Sequence, residues 1–438
     1  MGGLRPLYVQ ADDDIGKMSL SVLDAVSLAY KHNKNILVQE RAVMAAKADL
    51  IKARSEFLPK LNLEAGYTHR DAVMKLSSQS AGSKDPGVFL GYEDEKRVAV
   101  SIEQSVFRSG ANIANLKKAE ILLKIQQEKL CGLKLAVEFE TKRLYYGILL
   151  AEETHRIAVE LLAQARSHYN IVKEKFAQGA CSKFDLLQSK VQVSKIIPQV
   201  VRAENEKALL ILEFKRLVGI SSADRIVFED SLTYSPITVN EELLLNTAYA
   251  KRPELLIKRY EIELGKKSIV LAKASGRAHI DAFLNYSYRS ATVGDLFDDS
   301  HNNWFTGFVV SLPLFDGFSA KAKTDVAKIK YEQAELQSKD MEDEVAVQVH
   351  KALLELSEAR AIIESQQDCL KEAKEAVRIA EARYSNGEGR NLDVLDAQVS
   401  LSQIENNLSQ AIYDYIIAEA YLNRVVGVCL LKEGKNES

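Results

Sequence analysis

Proline is scarce, with only 7 in 438 residues. Such a chain can sustain long helices, and 47% hydrophobic with 27% charged residues is the composition of a mostly helical protein. Cysteine is scarcer still. Cys131, Cys181, Cys369 and Cys429 lie far apart with no C-x-x-C, which excludes a zinc pattern of that kind and a disulfide framework. The 7 histidines are scattered and no H-E-x-x-H occurs. No nucleophile–base pairing or metal constellation is evident, so no catalytic residue, metal ligand or cofactor is assigned. No apolar run reaches the roughly 18 residues of a membrane-spanning helix. A net charge of −3 gives no reason to expect a nucleic acid or an acidic substrate. Met1 to Met18 lacks the charged and apolar regions of a signal peptide. Val9-Gln-Ala11 fits the tail of a cleavage site whose upstream part is missing, although a plain terminal extension over 1–19 explains it as well, and no N-terminal cysteine is placed for lipidation.

What the chain does have is a duplicated turn. Tyr384-Ser-Asn-Gly-Glu-Gly-Arg-Asn-Leu-Asp-Val-Leu-Asp396 has a twin 208 residues earlier in Phe176-Ala-Gln-Gly-Ala-Cys-Ser-Lys-Phe-Asp-Leu-Leu-Gln188. Phe176/Tyr384, Gly179/Gly387, Asp185/Asp393, Leu186/Val394 and Leu187/Leu395 correspond. Each reads as a tight turn between two long helices. Gly179 and Gly387 supply the positive φ such a turn needs. Asp185, Asp393 and Asp396 fall in first turns, where capping and the helix dipole favour acids by roughly 0.3–1 kcal/mol each.

The flanking segments repeat too. The first repeat, 20–219, comprises a helix over 20–57 ended by Pro59, a strand hairpin over 60–106, a long helix over 111–178 and a return helix over 181–218 with Pro198 inside. An irregular link, 220–240, follows. The second repeat, 241–427, has a helix over 241–275, a hairpin over 278–314, a long helix over 319–385 and a return helix over 391–426; a tail, 428–438, remains. A period this long marks duplication of one unit, not a solenoid. Sixty-eight helical residues in 111–178 make a rod of roughly 100 Å. The return helix carries a heptad seam at Leu401, Ile404, Leu408, Ala411, Tyr415, Ala418, Leu422 and Val425; its counterpart is Val193, Ile196, Val200, Ala203, Lys207, Leu210, Phe214 and Leu217. Lys207 alone is neither apolar nor aromatic. The spacing specifies antiparallel coiled-coil packing on the long helix. Lengths then suggest that each long helix pairs with two shorter ones placed end to end.

The strands alternate. Leu61, Leu63, Ala65 and Tyr67 face one way and Asn62, Glu64, Gly66 and Thr68 the other; Val98, Val100 and Ile102 then Ile280, Ala282, Leu284 and Tyr286 continue the pattern, as do Trp304, Thr306, Phe308, Val310 and Leu312. Residues 71–95 and 290–302 read as loops. Four strands cannot close alone, but three chains would supply twelve, with an apolar outside and a polar inside. Tyr67, Tyr286, Tyr288 and Trp304 would then lie in an aromatic belt at the membrane interface. A half-buried sheet packed on helices, in a soluble coiled-coil scaffold, explains the same alternation.

With the duplication, the hairpins, Leu314-Phe-Asp-Gly317 opening the second long helix, and Tyr384-Ser-x-Gly followed by Leu392-Asp-Val-Leu-Asp396, the chain resembles the TolC-like outer-membrane efflux proteins over essentially its whole length. The resemblance implies a mainly α fold with a small β part: helical hairpins forming an α-barrel tunnel, and four strands per chain completing a twelve-stranded trimeric membrane β-barrel. It implies a non-enzymatic exit duct of a tripartite efflux or type I secretion system, in the outer membrane of a Gram-negative bacterium with its tunnel in the periplasm. The implied partners are two further copies of the chain, outer-membrane lipid, a periplasmic adaptor and an inner-membrane transporter of RND, ABC or MFS type. It carries a gate onto Tyr384, hydrogen-bonded to Asp185, and a constriction onto Asp393 and Asp396, with Gly179 and Gly387 at the adaptor-contacting tips. The family's gate arginine would fall at Gly389, one place before Arg390, and its usual Val-Gly-Thr tip reads Gln178-Gly179-Ala180 and Asn386-Gly387-Glu388. Cys181 is unusual for an oxidising periplasm, and the missing signal peptide suggests a trimmed sequence or a misplaced start. The exported substrate is not legible.

Overall fold

The computed structural model describes residues 18–76, 88–299 and 302–427. In chain order the elements are β1 (Met18–Leu20), α1 (Val22–His32), α2 (Lys34–Ser55), β2 (Lys60–His69), β3 (Met74–Leu76), β4 (Val88–Leu90), β5 (Asp94–Phe107), α3 (Ala111–Ala177), α4 (Lys183–Val218), β6 (Ile226–Phe228), α5 (Glu241–Lys251), α6 (Pro253–Ala274), β7 (His279–Ser290), β8 (Asn302–Ser311), α7 (Ser319–Ser385) and α8 (Asn391–Val426). Val9–Ala11 and Cys429 lie outside the described residues. Contacts divide the chain into two compact units, each drawn from both repeats: the described parts of Met1–Arg41, Gln127–Ile257 and Lys339–Ser438, and those of Ala42–Gln126 and Lys258–Ser338.

The first unit is mainly helical, and its core runs along the seams of the return helices. Of the α8 seam, only Ile404 and Leu408 are less than fully buried, and no seam residue of α4 is exposed. Lys207, the polar member, ion-pairs with Glu152 of α3 at 2.7 Å. Pro198 lies inside α4 without ending it. Tyr145 of α3 is fully buried, packs edge-on against Phe214 and Phe228, and its Oη lies 2.8 Å from Leu20 O and from Asp230 Oδ2. Tyr415 plays a similar part on α8, with Tyr234 edge-on to it and its Oη accepting from Ile237 N at 2.9 Å.

Here the helices expected over 20–57 and 241–275 are each broken in two. Asn33 adopts φ −64°, ψ 121°, and its Oδ1 accepts from the N–H groups of Asn35 and Ile36, so it stops α1 and opens α2. Its Nδ2 donates to Leu217 O at 2.9 Å, tying the break to the end of α4. In the second repeat Pro253 pushes Arg252 out of the helical region, to φ −64°, ψ 123°. Each break receives the glycine that ends a return helix: a Cβ on Gly219 would sit 2.7 Å from His32 Cβ, and one on Gly427 would sit 2.7 Å from Arg252 Cα. The link over 220–240 and the N-terminal extension also differ from expectation. β6 lies in that link and pairs in parallel with β1, Met18 opposite Ile226 and Leu20 opposite Phe228. Leu20 is buried there, which a short apolar stretch could not announce without its partner.

The second unit holds a four-stranded antiparallel sheet in the order β2-β5-β7-β8, leaving β2 and β8 as edges. Leu63, Val100, Tyr286 and Trp304 lie directly opposite one another across it, as do Leu61, Ile102, Leu284 and Thr306. Opposed residues of an antiparallel ladder share a face, so one face is apolar and the other carries Asn62, Glu64, Ser101, Asn285 and Ser287. The polar face also carries an aromatic pair. Phe283 and Phe305 meet edge-on at 5.9 Å, and the Phe283 ring covers Gly307, where a Cβ would come within 3.1 Å. Within the expected loop 71–95, β3 and β4 pair, and β5 starts at Asp94, four residues before the expected strand.

Candidate functional site: the paired helical turns

At the end of α3, Gly179 takes φ 71°, and at the end of α7, Gly387 takes φ 84°. The two turns are built alike. Gly179 N donates to Phe176 O at 3.0 Å and Ala180 N to Lys175 O at 2.8 Å; Gly387 N donates to Tyr384 O at 3.2 Å and Glu388 N to Arg383 O at 2.9 Å. Left-handed backbone at these two positions is why each is glycine; a Cβ on either would touch nothing.

The return helices then start with an aspartate at the same place and use it differently. Ser182 caps α4 in a capping box: its Oγ accepts from Asp185 N at 3.1 Å, and the Asp185 carboxylate accepts from Ser182 N at 3.2 Å and Oγ at 2.6 Å. On α8 the cap is Arg390. Asp393 accepts from Arg390 N at 3.2 Å and from its Nη2 at 2.8 Å. That guanidinium bond, with the backbone bond behind it, holds the Asp393 carboxyl below its ordinary range. Asp396, one turn on, is exposed and makes no hydrogen bond or ion pair among the described residues.

The expected bond between Tyr384 and Asp185 is not made. Asp185 is committed to Ser182, while Tyr384 is buried and its Oη has no hydrogen-bond partner among the described residues. Burial foremost, then the nearby Cys181 and Asp185, pushes that phenol up to about 12. Gly389 is not a vacant arginine position. A side chain there would run into Tyr384 N at 2.9 Å, so only glycine fits, and Arg390 turns to Asp393 on its own helix.

Other residues join the two turns. Lys175 Nζ donates to Tyr384 O at 2.5 Å and Ser385 O at 3.2 Å, and lies 4.5 Å from the centre of the Tyr384 ring. A lysine from the first hairpin thus occupies the carbonyl end of the second long helix, where the helix dipole favours a cation. His168 also packs on Tyr384, the two rings 4.9 Å apart. His168 Nε2 donates to Asn391 Oδ1 at 2.7 Å, and Asn391 Nδ2 donates to Gln188 Oε1 at 3.0 Å and Asp185 O at 3.4 Å. His168 and Asn391 are both buried. Burial holds the imidazole below its ordinary value against smaller opposing effects of the Asn391 bond and Glu381, while Lys175 adds to the lowering. Cys181 is half-buried, its Sγ–H donating to Val172 O at 3.3 Å, and burial raises its thiol, keeping it unreactive.

Sequence reasoning named Tyr384, Asp185 and Asp393 but passed over Lys175, His168, Gln188 and Asn391. Lys175 and Asn391 sit two and zero residues from helix ends, and a polar residue at such a place reads as solvated surface until a second hairpin is set beside it. The aromatic residues singled out on the sheet do come together: Tyr286 opposes Trp304, Tyr288 is two residues along on the same face with its Oη 3.0 Å from that of Tyr286, and Tyr67 lies at the same end, opposite Lys96.

Among the described residues, no group of acidic, histidine or cysteine side chains could hold a metal ion, and no helix is long and apolar enough to cross a membrane. The family model for outer membrane efflux proteins matches residues 25–210 and 244–428. The chain is 22% identical over 439 aligned positions to the outer membrane protein TolC of Vibrio cholerae, an alignment covering 98% of this chain and 96% of that one. It is 23% identical to the alkaline protease secretion protein AprF of Pseudomonas aeruginosa, spanning 60% of that protein's length and 65% of its own. Among solved structures, the outer membrane channel CmeC of Campylobacter jejuni superposes with a TM-score of 0.82 at 17% identity, over 93% of this chain and 85% of that one. CusC superposes with a TM-score of 0.80 at 19% identity, over 96% and 95%. The matched segments cover most of both halves of the duplication, and the chain belongs to the outer membrane efflux protein family.

Proposed function

We propose that the chain is one subunit of a homotrimeric outer-membrane exit duct, shut at its periplasmic end by the paired turns at Gly179 and Gly387. The observation that carries this reading is the sheet register in a member of this family. One face is apolar and one polar, and two edges are left open. Open edges invite pairing with another chain; three copies supply twelve strands, enough to enclose water. The repeats 20–219 and 241–427, joined by 220–240, then each contribute one hairpin to the barrel and one helical turn to the tips. The tips would meet a periplasmic adaptor, and export would be driven by an inner-membrane transporter of RND, ABC or MFS type. The duct itself performs no catalytic step.

In the closed duct, Lys175, His168 and Asn391 hold the two turns of a subunit together around Tyr384. Asp396 and its symmetry mates line the constriction as free carboxylates, with Asp393 beside them partly neutralised by Arg390. A ring of carboxylates favours cations. Opening requires the hairpins to part, exposing Tyr384 Oη to a new partner, Asp185 among the nearest. Purified in detergent, the protein should run as a trimer and form cation-selective channels in planar bilayers. A water-soluble monomer without channel activity would establish the coiled-coil scaffold instead.

A further inference from the structure

Where the strands give way to helices, the second unit contains a cavity of about 500 Å³ whose lining includes Arg108, Arg277, His279 and Lys323 and no carboxylate. Asp281 lies close by but is engaged by Arg108 Nη2 at 2.9 Å. The side chains of Arg277 and Lys323 have no hydrogen-bond or ionic partner among the described residues. The register says on which face of the sheet its strand residues lie. Ser105 opposes Asp281, and His279 opposes Ser311. These residues alternate with Ile280 and Val310 of the apolar face, so they belong to the polar one, and Arg108 reaches that face through Asp281. Lys323 follows closely on the start of α7, whose first turn has no acidic residue.

We propose that this cavity binds the phosphate groups of anionic solutes passing along the duct. The inference rests on the exit-duct reading, which makes the polar face the wall of the water-filled lumen. Arg277 suits a phosphate by its planar fork of donors and Lys323 as a mobile point charge. Threefold repetition sets such cavities around one lumen, opposite in sign to the carboxylates proposed for the tips. A cation-selective entrance and an anion-binding exit would then act in series. The same phosphate chemistry is offered by lipid headgroups at the membrane boundary, and the test separates the two sources.

The trimer in neutral phosphatidylcholine bilayers is titrated with tripolyphosphate while single-channel current is recorded, and the detergent-solubilised trimer is titrated by calorimetry with the same probe. Wild type should show block and a binding isotherm, each weakened at least tenfold in Arg277→Gln/Lys323→Gln and retained in Lys323→Arg. If tripolyphosphate neither blocks nor binds, but phosphatidylglycerol is retained by wild type and lost from the double variant, the phosphate site stands and its ligand is lipid. Equal block and equal binding in wild type and double variant overturn the site. Failure to form any channel counts against the duct reading, and the calorimetric arm then decides the cavity by itself. The double variant must migrate as the same folded trimer for these comparisons to apply.

Discussion

Lys175 and His168 show how much can hang on two side chains that carry no motif. Lys175 makes charge-assisted bonds to two carbonyls of the opposite hairpin, and such bonds contribute about 1.5–3 kcal/mol when a charged group is involved. Lys175→Met keeps the aliphatic stem and removes the donors, so the closed state should weaken by about tenfold, or roughly 1.4 kcal/mol, read as a higher open probability in bilayers. Unchanged gating would show that the lysine only decorates the tip. His168 gives a pH dependence whose sign can be worked out. Its imidazole is held below the ordinary value of about 6.5 while buried. A state that exposes it therefore binds a proton at higher pH than the closed state does. Closure is fully supported above about pH 6.5 and weakens as pH falls from there through the lowered value. Glu381 and Lys175 face the ring as well and act in opposite directions. Acidification should raise open probability in wild type and do so less in His168→Gln, which retains a donor for Asn391. At the proposed constriction, Asp396→Asn should relieve block by divalent cations more than Asp393→Asn does, because Arg390 already sits on Asp393. Equal relief would place both carboxylates on the pore with equal weight.

Elements were readable where one periodicity runs unbroken. The 67-residue helices α3 and α7, the seams of α4 and α8 and the alternating strands all depend on local repetition, and the structure has them within a few residues of the expected bounds. The breaks at Asn33 and Arg252 were not seen, although Asn33 and Pro253 are both signals of a helix boundary. Around each, the apolar pattern continues in phase, because the glycine of a distant return helix lies against the break and keeps both sides packed. β1 and β6 escaped for a related reason: three-residue strands carry too little pattern to be seen without their partner. The four turn glycines separate by what surrounds them. Gly219→Ala and Gly427→Ala add both left-handed strain, about 1–2 kcal/mol, and overlap with the helix break at 2.7 Å. Gly179→Ala and Gly387→Ala add the strain alone. Thermal unfolding should therefore fall clearly further for the first pair than for the second, and equal losses would mean that the breaks yield without cost.

For the whole molecule, the sheet makes the sharpest demand. Leu63 lies on the apolar face and is well exposed in a single chain, whereas Asn62 next to it lies on the polar one. If lipid covers the first face, Leu63→Arg places a charge in hydrocarbon at a cost of roughly 2–4 kcal/mol near the midplane, while Asn62→Arg meets water. Reconstitution into vesicles should fail or slow for the first variant and proceed for the second. Similar insertion of both would return the sheet to a soluble scaffold. The fold class and the duplication were legible because they are written in spacing. The contacts between the paired turns were not, because His168 and Asn391 are separated by 223 residues and neither announces the other.

The caps on the two return helices have one more consequence. Duplication hands a trimer six tips of nearly the same shape, but Ser182 makes one kind and Arg390 the other. In one the aspartate is closed by a hydroxyl, and in the other by a cation that stands in the open. Any ring of proteins seated against this end would find two sockets in strict alternation. The duct would thereby impose a phase on its partner, letting it engage in three rotational settings where six identical tips would have allowed twice as many.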